Sequence, residues 1–299
     1  MKKKVGIIGG DIRIEKLIGM FIEEEVSVYT YCLENLQVKE KNKYSNFKKN
    51  IEVCKSIDEI LINSDIIITS IPFTKDGKHI YSEYSDMDVN INEFFKTIEN
   101  TRNLFIKNKT IYTTNVSKEL LDKFNKVDSK VKIIDMLKVE EFSILNSIAT
   151  AEGTLSIAIQ KSKRNLQDST ILILGYGRTA KVIANKFKYL SNSIACTSRN
   201  KEELVWIKAN GYTSIEFENF KNNIANYDII INTIPAVILN ENELKKISKE
   251  TLIIDIASKP GGVDQKYIKK YGINYIQELG IPGKLSPITS AEIIKNIIL

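Results

Sequence analysis

Thr170-Ile-Leu-Ile-Leu-Gly-Tyr-Gly-Arg-Thr-Ala180 reads as a buried strand that turns through Gly-x-Gly-x-x-Ala into a helix. Five apolar or β-branched residues precede the glycines, and Ala180, Ile183, Ala184, Phe187 and Leu190 follow at helical spacing. Gly175 permits the tight turn, and Gly177 lets the backbone approach a phosphate with no Cβ in between. Ala180 is small enough for the helix to pack close to the sheet. The free N–H groups and positive dipole end of that helix then face an anion, with Arg178 and Thr179 in the first turn as further contacts. The segment predicts an α/β dinucleotide-binding unit.

The next strand outward, Ser193-Ile-Ala-Cys-Thr-Ser-Arg199, ends about twenty residues beyond the glycines, where an NAD-binding chain offers Asp or Glu to the ribose 2′-hydroxyl. This chain offers Ser198 and Arg199. A carboxylate would repel a 2′-phosphate, whereas a guanidinium forms a bidentate, charge-assisted pair with it. The expected cofactor is therefore NADP, ahead of NAD. A solvated loop role is the competing reading for Arg199, and Arg178 could equally point into water.

The same alternation extends along the chain in two runs. Strands are expected at 5–8, 26–31, 65–71, 110–114 and 131–135, and again at 171–174, 194–198, 228–233, 252–256 and 273–276, with helical segments between them. This predicts two doubly wound, Rossmann-like domains with mostly parallel sheets. Residues 143–161 form a long apolar helical stretch, broken only by Gly153, that joins the runs. The expected domains are 1–142, for substrate, and 143–286, for cofactor. The amphipathic segment 287–299 should cross back to pack on the first domain.

The first run has its own turn, Gly6-x-x-Gly9-Gly10-Asp11. Here Asp11 places a carboxylate where a pyrophosphate would sit, and no third small residue follows at the right spacing. Two readings stay open. Asp11 N-caps the helix that carries Ile14, Leu17, Ile18, Phe21 and Ile22 on one face. Alternatively, the turn handles substrate, with Arg13 meeting a carboxylate.

Composition narrows the class. The chain has 299 residues, 43% apolar and 27% charged, as expected for an ordinary globular protein with room for two cores. A net charge of +6 is mild, and no nucleic-acid motif accompanies it. Cys32, Cys54 and Cys196 share no ligand spacing, and His79, the single histidine, has no companion, so no metal site is expected. Lys2-Lys3-Lys4 reads as a solvated tail. The apolar stretch after it reaches only Ile8, too short for a signal peptide or a membrane span, and an intracellular chain without membrane association is expected.

Several stretches together resemble the family of dipicolinate synthase A-subunits, the dehydrogenase-like component of that enzyme. They are Gly9-Gly-Asp-x-Arg13, Thr150-Ala-Glu-Gly-Thr154 with Ala158-Ile-Gln160, and Leu174-Gly-Tyr-Gly-Arg-Thr179. Further on come Ile231-Asn-Thr-Ile-Pro235 with Ile238-Leu-Asn240, Asp255-Ile-Ala-Ser-Lys-Pro-Gly-Gly262 and Gly280-Ile-Pro-Gly283. The likeness spans nearly the whole chain and is densest from residue 146 onward. Where this chain has Tyr176 and Ala180 the family carries Leu and Gly, changes that leave phosphate binding intact. The resemblance implies oxidation of a dihydrodipicolinate, or its hydroxylated tetrahydro precursor, with hydride transfer to NADP. It also implies a flavoprotein-like partner, the dipicolinate synthase B-subunit, together with an oligomeric assembly in the mother-cell cytoplasm of a sporulating bacterium.

For such a reaction the protein must hold a small dicarboxylate about 3–3.5 Å from the nicotinamide, beyond the carboxyl ends of the strands. That location selects Thr233, Pro235, Ala257 and Ser258 around the nicotinamide. Lys259, Lys284 and Arg13 are candidates for the substrate carboxylates, with Asp11 in the adjoining turn and Thr74 in the segment Ile71-Pro-Phe-Thr-Lys75, which could close from the first domain. Each has a plain structural alternative: a strand end, a turn or a solvated lysine. Glu152 lies in an otherwise apolar helix, where an unpaired carboxylate is costly. It is either paired structurally or acts as a proton acceptor, and the second is preferred. His79 shows no orienting partner. A different two-domain hydroxy or amino acid dehydrogenase, or a non-catalytic NADP-binding protein, are the alternatives.

Overall fold

Near-continuous apolar strands such as Ile171-Leu-Ile-Leu174 suit a sheet covered on both faces, and every strand pair in both sheets of this chain is parallel. The computed structural model describes residues 3–36, 51–106, 108–119, 121–122 and 130–299. It divides into two units, Met1–Ser143 with Ser286–Leu299, and Ile144–Leu285.

The first unit contains β1 (Lys4–Ile8), β2 (Ser27–Tyr31), β3 (Ile51–Val53), β4 (Ile66–Thr69), β5 (Lys109–Thr113) and β6 (Val131–Asp135). Their order in the sheet is β3-β2-β1-β4-β5-β6. Helices α1 (Ile12–Glu23), α2 (Ile57–Asn63) and α3 (Ile91–Thr101) connect them. Lys4 opens β1 and so is not part of a solvated tail; Lys3 is exposed, and Lys2 lies outside the described residues.

Helix α4 (Glu140–Lys161) runs across the division and leads into the second unit, which holds β7 (Thr170–Leu174), α5 (Arg178–Phe187), β8 (Ser193–Ser198), α6 (Lys201–Ala209) and β9 (Thr213–Glu216). β10 (Ile229–Asn232), α7 (Glu241–Leu244), β11 (Leu252–Asp255), α8 (Gln265–Tyr271), β12 (Asn274–Gln277) and α9 (Ile281–Leu285) complete it. The sheet order β12-β11-β10-β7-β8-β9 repeats the winding of the first. The doubly wound architecture expected from the alternation is therefore present twice.

Two strands escape the sequence pattern. β3 and β9 are short edge strands, and Val53 and Glu216 are exposed, so neither segment shows an uninterrupted apolar run. The final helix, α10 (Pro287–Ile298), buries Ala291, Ile293, Ile294 and Ile298 and belongs to the first unit, where it packs on α1. Lys295 Nζ lies 2.5 Å from Glu24 Oε1 in that contact.

Among the described helices, α4 alone has the length and mean hydropathy, 1.3, of a membrane span. Ala151, Thr154 and Ala158 on it are fully buried, and the two alanines join the apolar cluster beneath β7, β8 and β10, as in a core helix. Gly153 is where α4 meets α9 most closely: a Cβ there would clash with Ile281 Cγ2 and stand 2.7 Å from Leu285 Cδ1. Gly153→Val is expected to cost about 1–3 kcal/mol by overpacking. Urea denaturation checks this, and an unchanged midpoint would show that the contact can relax.

In each sheet the first strand has neighbours reached in opposite directions, β2 and β4 around β1, and β8 and β10 around β7. Crevices for ligands form at such switch points, outside the carboxyl ends of the strands.

Candidate cofactor site

At the second switch point β7 ends in Leu174 and the chain turns through Gly175 at φ +98°. Three strand ends hold that turn. Gly175 N–H donates to Thr197 Oγ1 on β8 at 2.9 Å, and Thr233, just past β10, donates its hydroxyl to Leu174 O at 2.8 Å. A Cβ on Gly175 would lie 2.7 Å from Thr233 Oγ1.

Gly177 is different. It N-caps α5 in extended conformation, φ −73° and ψ −171°, which any residue adopts. A Cβ there would meet no heavy atom of the described residues within 4 Å. Neither backbone strain nor protein packing calls for glycine. The first turn of α5 contains no acid, and no side chain caps it. Its leading N–H groups and positive dipole end are thus arranged for an anion supplied from outside the helix. Arg178 and Thr179 open this helix, exposed and half-buried respectively.

Helix α1 opens with the opposite arrangement. Asp11 accepts the Arg13 N–H at 3.0 Å and caps the helix, and Arg13 Nη2 pairs with Asp11 Oδ2 at 2.6 Å. Arg13 is buried and also donates to the carbonyl of Ile71. The Nε and Nη2 donors of Arg13 are thus engaged inside the first unit, by Asp11 and Ile71. The turn itself is covered, with Glu83 N–H donating to Gly10 O at 2.7 Å. Of the two readings of Asp11, the structure shows the cap.

Arg199 follows β8, its guanidinium 4.2 Å from the Phe217 ring centroid and Nε 3.7 Å from Glu218 Oε1. Arg199 and Glu218 are both more than two-thirds exposed, at 72% and 71%. Such exposed pairs contribute about 0–1 kcal/mol, little enough for a phosphate to displace the glutamate. Ser198, the other residue expected here, donates its hydroxyl to Glu203 Oε2 at 2.6 Å and accepts the Asn200 N–H at 3.0 Å.

Of the remaining candidates, Pro235, Ser258 and Lys259 are exposed in the loops after β10 and β11, and Ala257 is buried. Lys259 makes no ion pair among the described residues. Lys284 is paired with Glu278. Glu152 is exposed and lies 2.8 Å from Lys186 Nζ, so the burial assumed for it does not occur. Thr74 donates to Asp76 Oδ1 at 3.0 Å and accepts the Gly77 N–H at 2.9 Å, shaping its own loop. His79 does have an orienting partner, contrary to expectation: Asp76 Oδ2 lies 2.7 Å from Nδ1. The backbone N–H groups of His79 and Lys78 and the His79 ring hold the Asp76 carboxyl well below its ordinary range.

Sequence reasoning missed Thr197, Phe217, Glu203 and Glu218, which depend on neighbours not adjacent in the chain. It also missed Asn232 and Asp255, although each ends an otherwise apolar strand, a visible signal. A cavity of about 260 Å³ lined by Tyr176, Lys181, Asn185, Trp206, Asn210 and Tyr212 includes none of the expected contacts. No group of three or more potential metal ligands occurs among the described residues.

Comparison with known proteins places these features. Residues 4–121 match the family described as the N-terminal domain of the dipicolinate synthase A-subunit, and residues 156–277 match shikimate / quinate 5-dehydrogenase. The dipicolinate synthase A-subunit of Bacillus subtilis is 29% identical over 99% of this chain and 94% of its own length. Its crystal structure superposes with a TM-score of 0.83. The crystal structure of the corresponding protein from Bacillus halodurans has the same TM-score, 25% identity, and coverage of 99% of this chain and 96% of that one. A Staphylococcus aureus shikimate dehydrogenase (NADP(+)) is 32% identical over 47% of this chain and 60% of its own. The resemblance read from the motifs is thus found along nearly the whole chain, and the second unit is the part that is similar to shikimate dehydrogenases.

Proposed function

From its similarity along nearly the whole chain to dipicolinate synthase A-subunits, we propose that this chain oxidises dihydrodipicolinate, or its hydroxylated tetrahydro precursor after loss of water, to pyridine-2,6-dicarboxylate. One ring C–H leaves as hydride and one ring proton leaves to a base. The bound cofactor, NADP, supplies the hydride acceptor. Because the product ring is aromatic, the chemistry runs downhill, and the protein's main contribution is to hold the substrate in position.

The observation that carries this reading is Gly177, a glycine that the fold does not need, at the uncapped N-terminus of α5. Arg199 supports the 2′-phosphate, and so NADP over NAD. Lys259 is the cation best placed by exposure to take a substrate carboxylate, with Ser258 beside it. Lys284 would first have to leave Glu278, which makes it the weaker choice. Glu152 does not serve as the proton acceptor in this reading, because it pairs with Lys186 in the last turn of α5, at the end of that helix away from Gly177.

The name of the relatives implies a companion, and we assign that role to a flavoprotein-like B-subunit in the mother-cell cytoplasm. The test mixes the chain, with and without that companion, with freshly generated dihydrodipicolinate and either nicotinamide cofactor. NADPH and dipicolinate formed in equal amounts support the proposal. Cofactor binding without turnover in any combination would favour a non-catalytic NADP-binding role instead.

A further inference from the structure

Asn232 and Asp255 end β10 and β11 at matched register, and both are fully buried. Asn232 Nδ2 donates to Asp255 Oδ1 at 2.8 Å and to Ile234 O at 3.0 Å, while Asn232 Oδ1 accepts the Ile234 N–H at 3.2 Å. Asp255 in turn accepts the N–H of Ala257 at 3.2 Å, the N–H of Gly262 at 2.8 Å and the Tyr275 hydroxyl at 3.2 Å. It forms no ion pair with a cation among the described residues. The loop 256–262 is wrapped tightly over this pair. A Cβ on Gly261 would lie 2.9 Å from Asp255 Oδ2, and one on Gly262 would clash with Asn232 Nδ2.

Burying a carboxylate and an amide is costly unless every polar atom finds a partner. The sheet itself does not call for them: at the same level β7 ends in Leu174, the register partner of Asn232. The polar pair therefore serves the loops beyond the strands. It ties loop 233–236 and loop 256–262 to one rigid point, the kind of support that holds binding groups in register.

We propose that Asn232 and Asp255 form a positioning latch that fixes these two loops as the seat of the nicotinamide half of the cofactor. The inference rests on reading the second unit as a cofactor domain and deepens it, because it divides the binding site into two ends. Arg199 governs the phosphoadenosine end, and the latch governs the nicotinamide end. Tyr275, which donates to Asp255, is the third member of the latch.

The test titrates the folded full chain and its Asp255→Asn and Tyr275→Phe variants with NADP+ and with 2′,5′-ADP, which lacks the nicotinamide half. The latch predicts that Asp255→Asn, which changes every hydrogen bond Asp255 makes, weakens NADP+ roughly tenfold, and that Tyr275→Phe, which removes only one of them, does so roughly threefold. 2′,5′-ADP should bind all three proteins equally. Equal losses for both ligands would mean a merely structural role and overturn the latch, as would no loss for either. If Asp255→Asn does not fold, Tyr275→Phe gives the same split alone. A wild-type chain that binds NADP+ no better than 2′,5′-ADP has no nicotinamide seat, and the latch fails. If dihydrodipicolinate is not oxidised but the split persists, the latch stands and the proposed substrate falls.

Discussion

Gly177→Val should abolish cofactor binding while the protein stays folded. The stability side follows from geometry: the backbone at Gly177 is extended, and no described heavy atom lies within 4 Å of a Cβ built there. The replacement costs at most about 1 kcal/mol in N-cap preference, small against a domain stability of about 5–15 kcal/mol. The binding side is severe, because two methyl groups would occupy the approach that a pyrophosphate makes to the leading N–H groups of α5. A loss of at least about 100-fold in NADP+ affinity is expected, corresponding to roughly 2.7 kcal/mol. Calorimetric titration with a parallel thermal melt reads both quantities. Retained affinity would show that the turn faces no phosphate, and an unfolded variant would show that the space above Gly177 matters to the protein itself.

Arg199→Asp should separate the two nicotinamide cofactors. In the free protein Arg199 stacks on Phe217 and approaches only Glu218, in an exposed pair of little energetic weight. A bidentate guanidinium–phosphate contact is stronger than that pair and is lost on substitution, while the new carboxylate repels the 2′-phosphate and accepts from a 2′-hydroxyl. NADP+ affinity should fall about 100-fold, with NAD+ unchanged or improved, a change of preference worth roughly 2.7 kcal/mol. Equal losses for both cofactors would remove Arg199 from cofactor choice.

How much of this was legible before the structure depends on range along the chain. The Gly-x-Gly turn was readable because strand, turn and helix are contiguous, and their apolar spacing alone fixes the local path. Both sheets were readable for the same reason, except for β3 and β9, whose exposed edge positions erase the apolar run. The burial of Arg13 was not readable, because a charge that looks free in sequence is drawn in by contacts with Asp11, two residues away, and Ile71, far along the chain. Glu152 failed in the opposite sense. Its neighbours Ala151 and Gly153 are buried, but at 3.6 residues per turn an adjacent position faces away, and it is exposed. The Asp76–His79 contact spans only three residues but depends on loop geometry that no periodicity encodes. Asn232 and Asp255 carried a readable sign, a polar residue ending a run of isoleucine, and only the sheet register joins them.

The central claim is that the turn at Gly175–Gly177 of the second unit seats the pyrophosphate of a nicotinamide dinucleotide. A crystal structure of the chain grown with saturating NADP+ tests it most directly. The account predicts pyrophosphate oxygens against the N–H groups that open α5, with the 2′-phosphate on Arg199 and the nicotinamide against the loops after β10 and β11. NADP+ bound elsewhere on the chain, or no bound nucleotide at saturation, would contradict it.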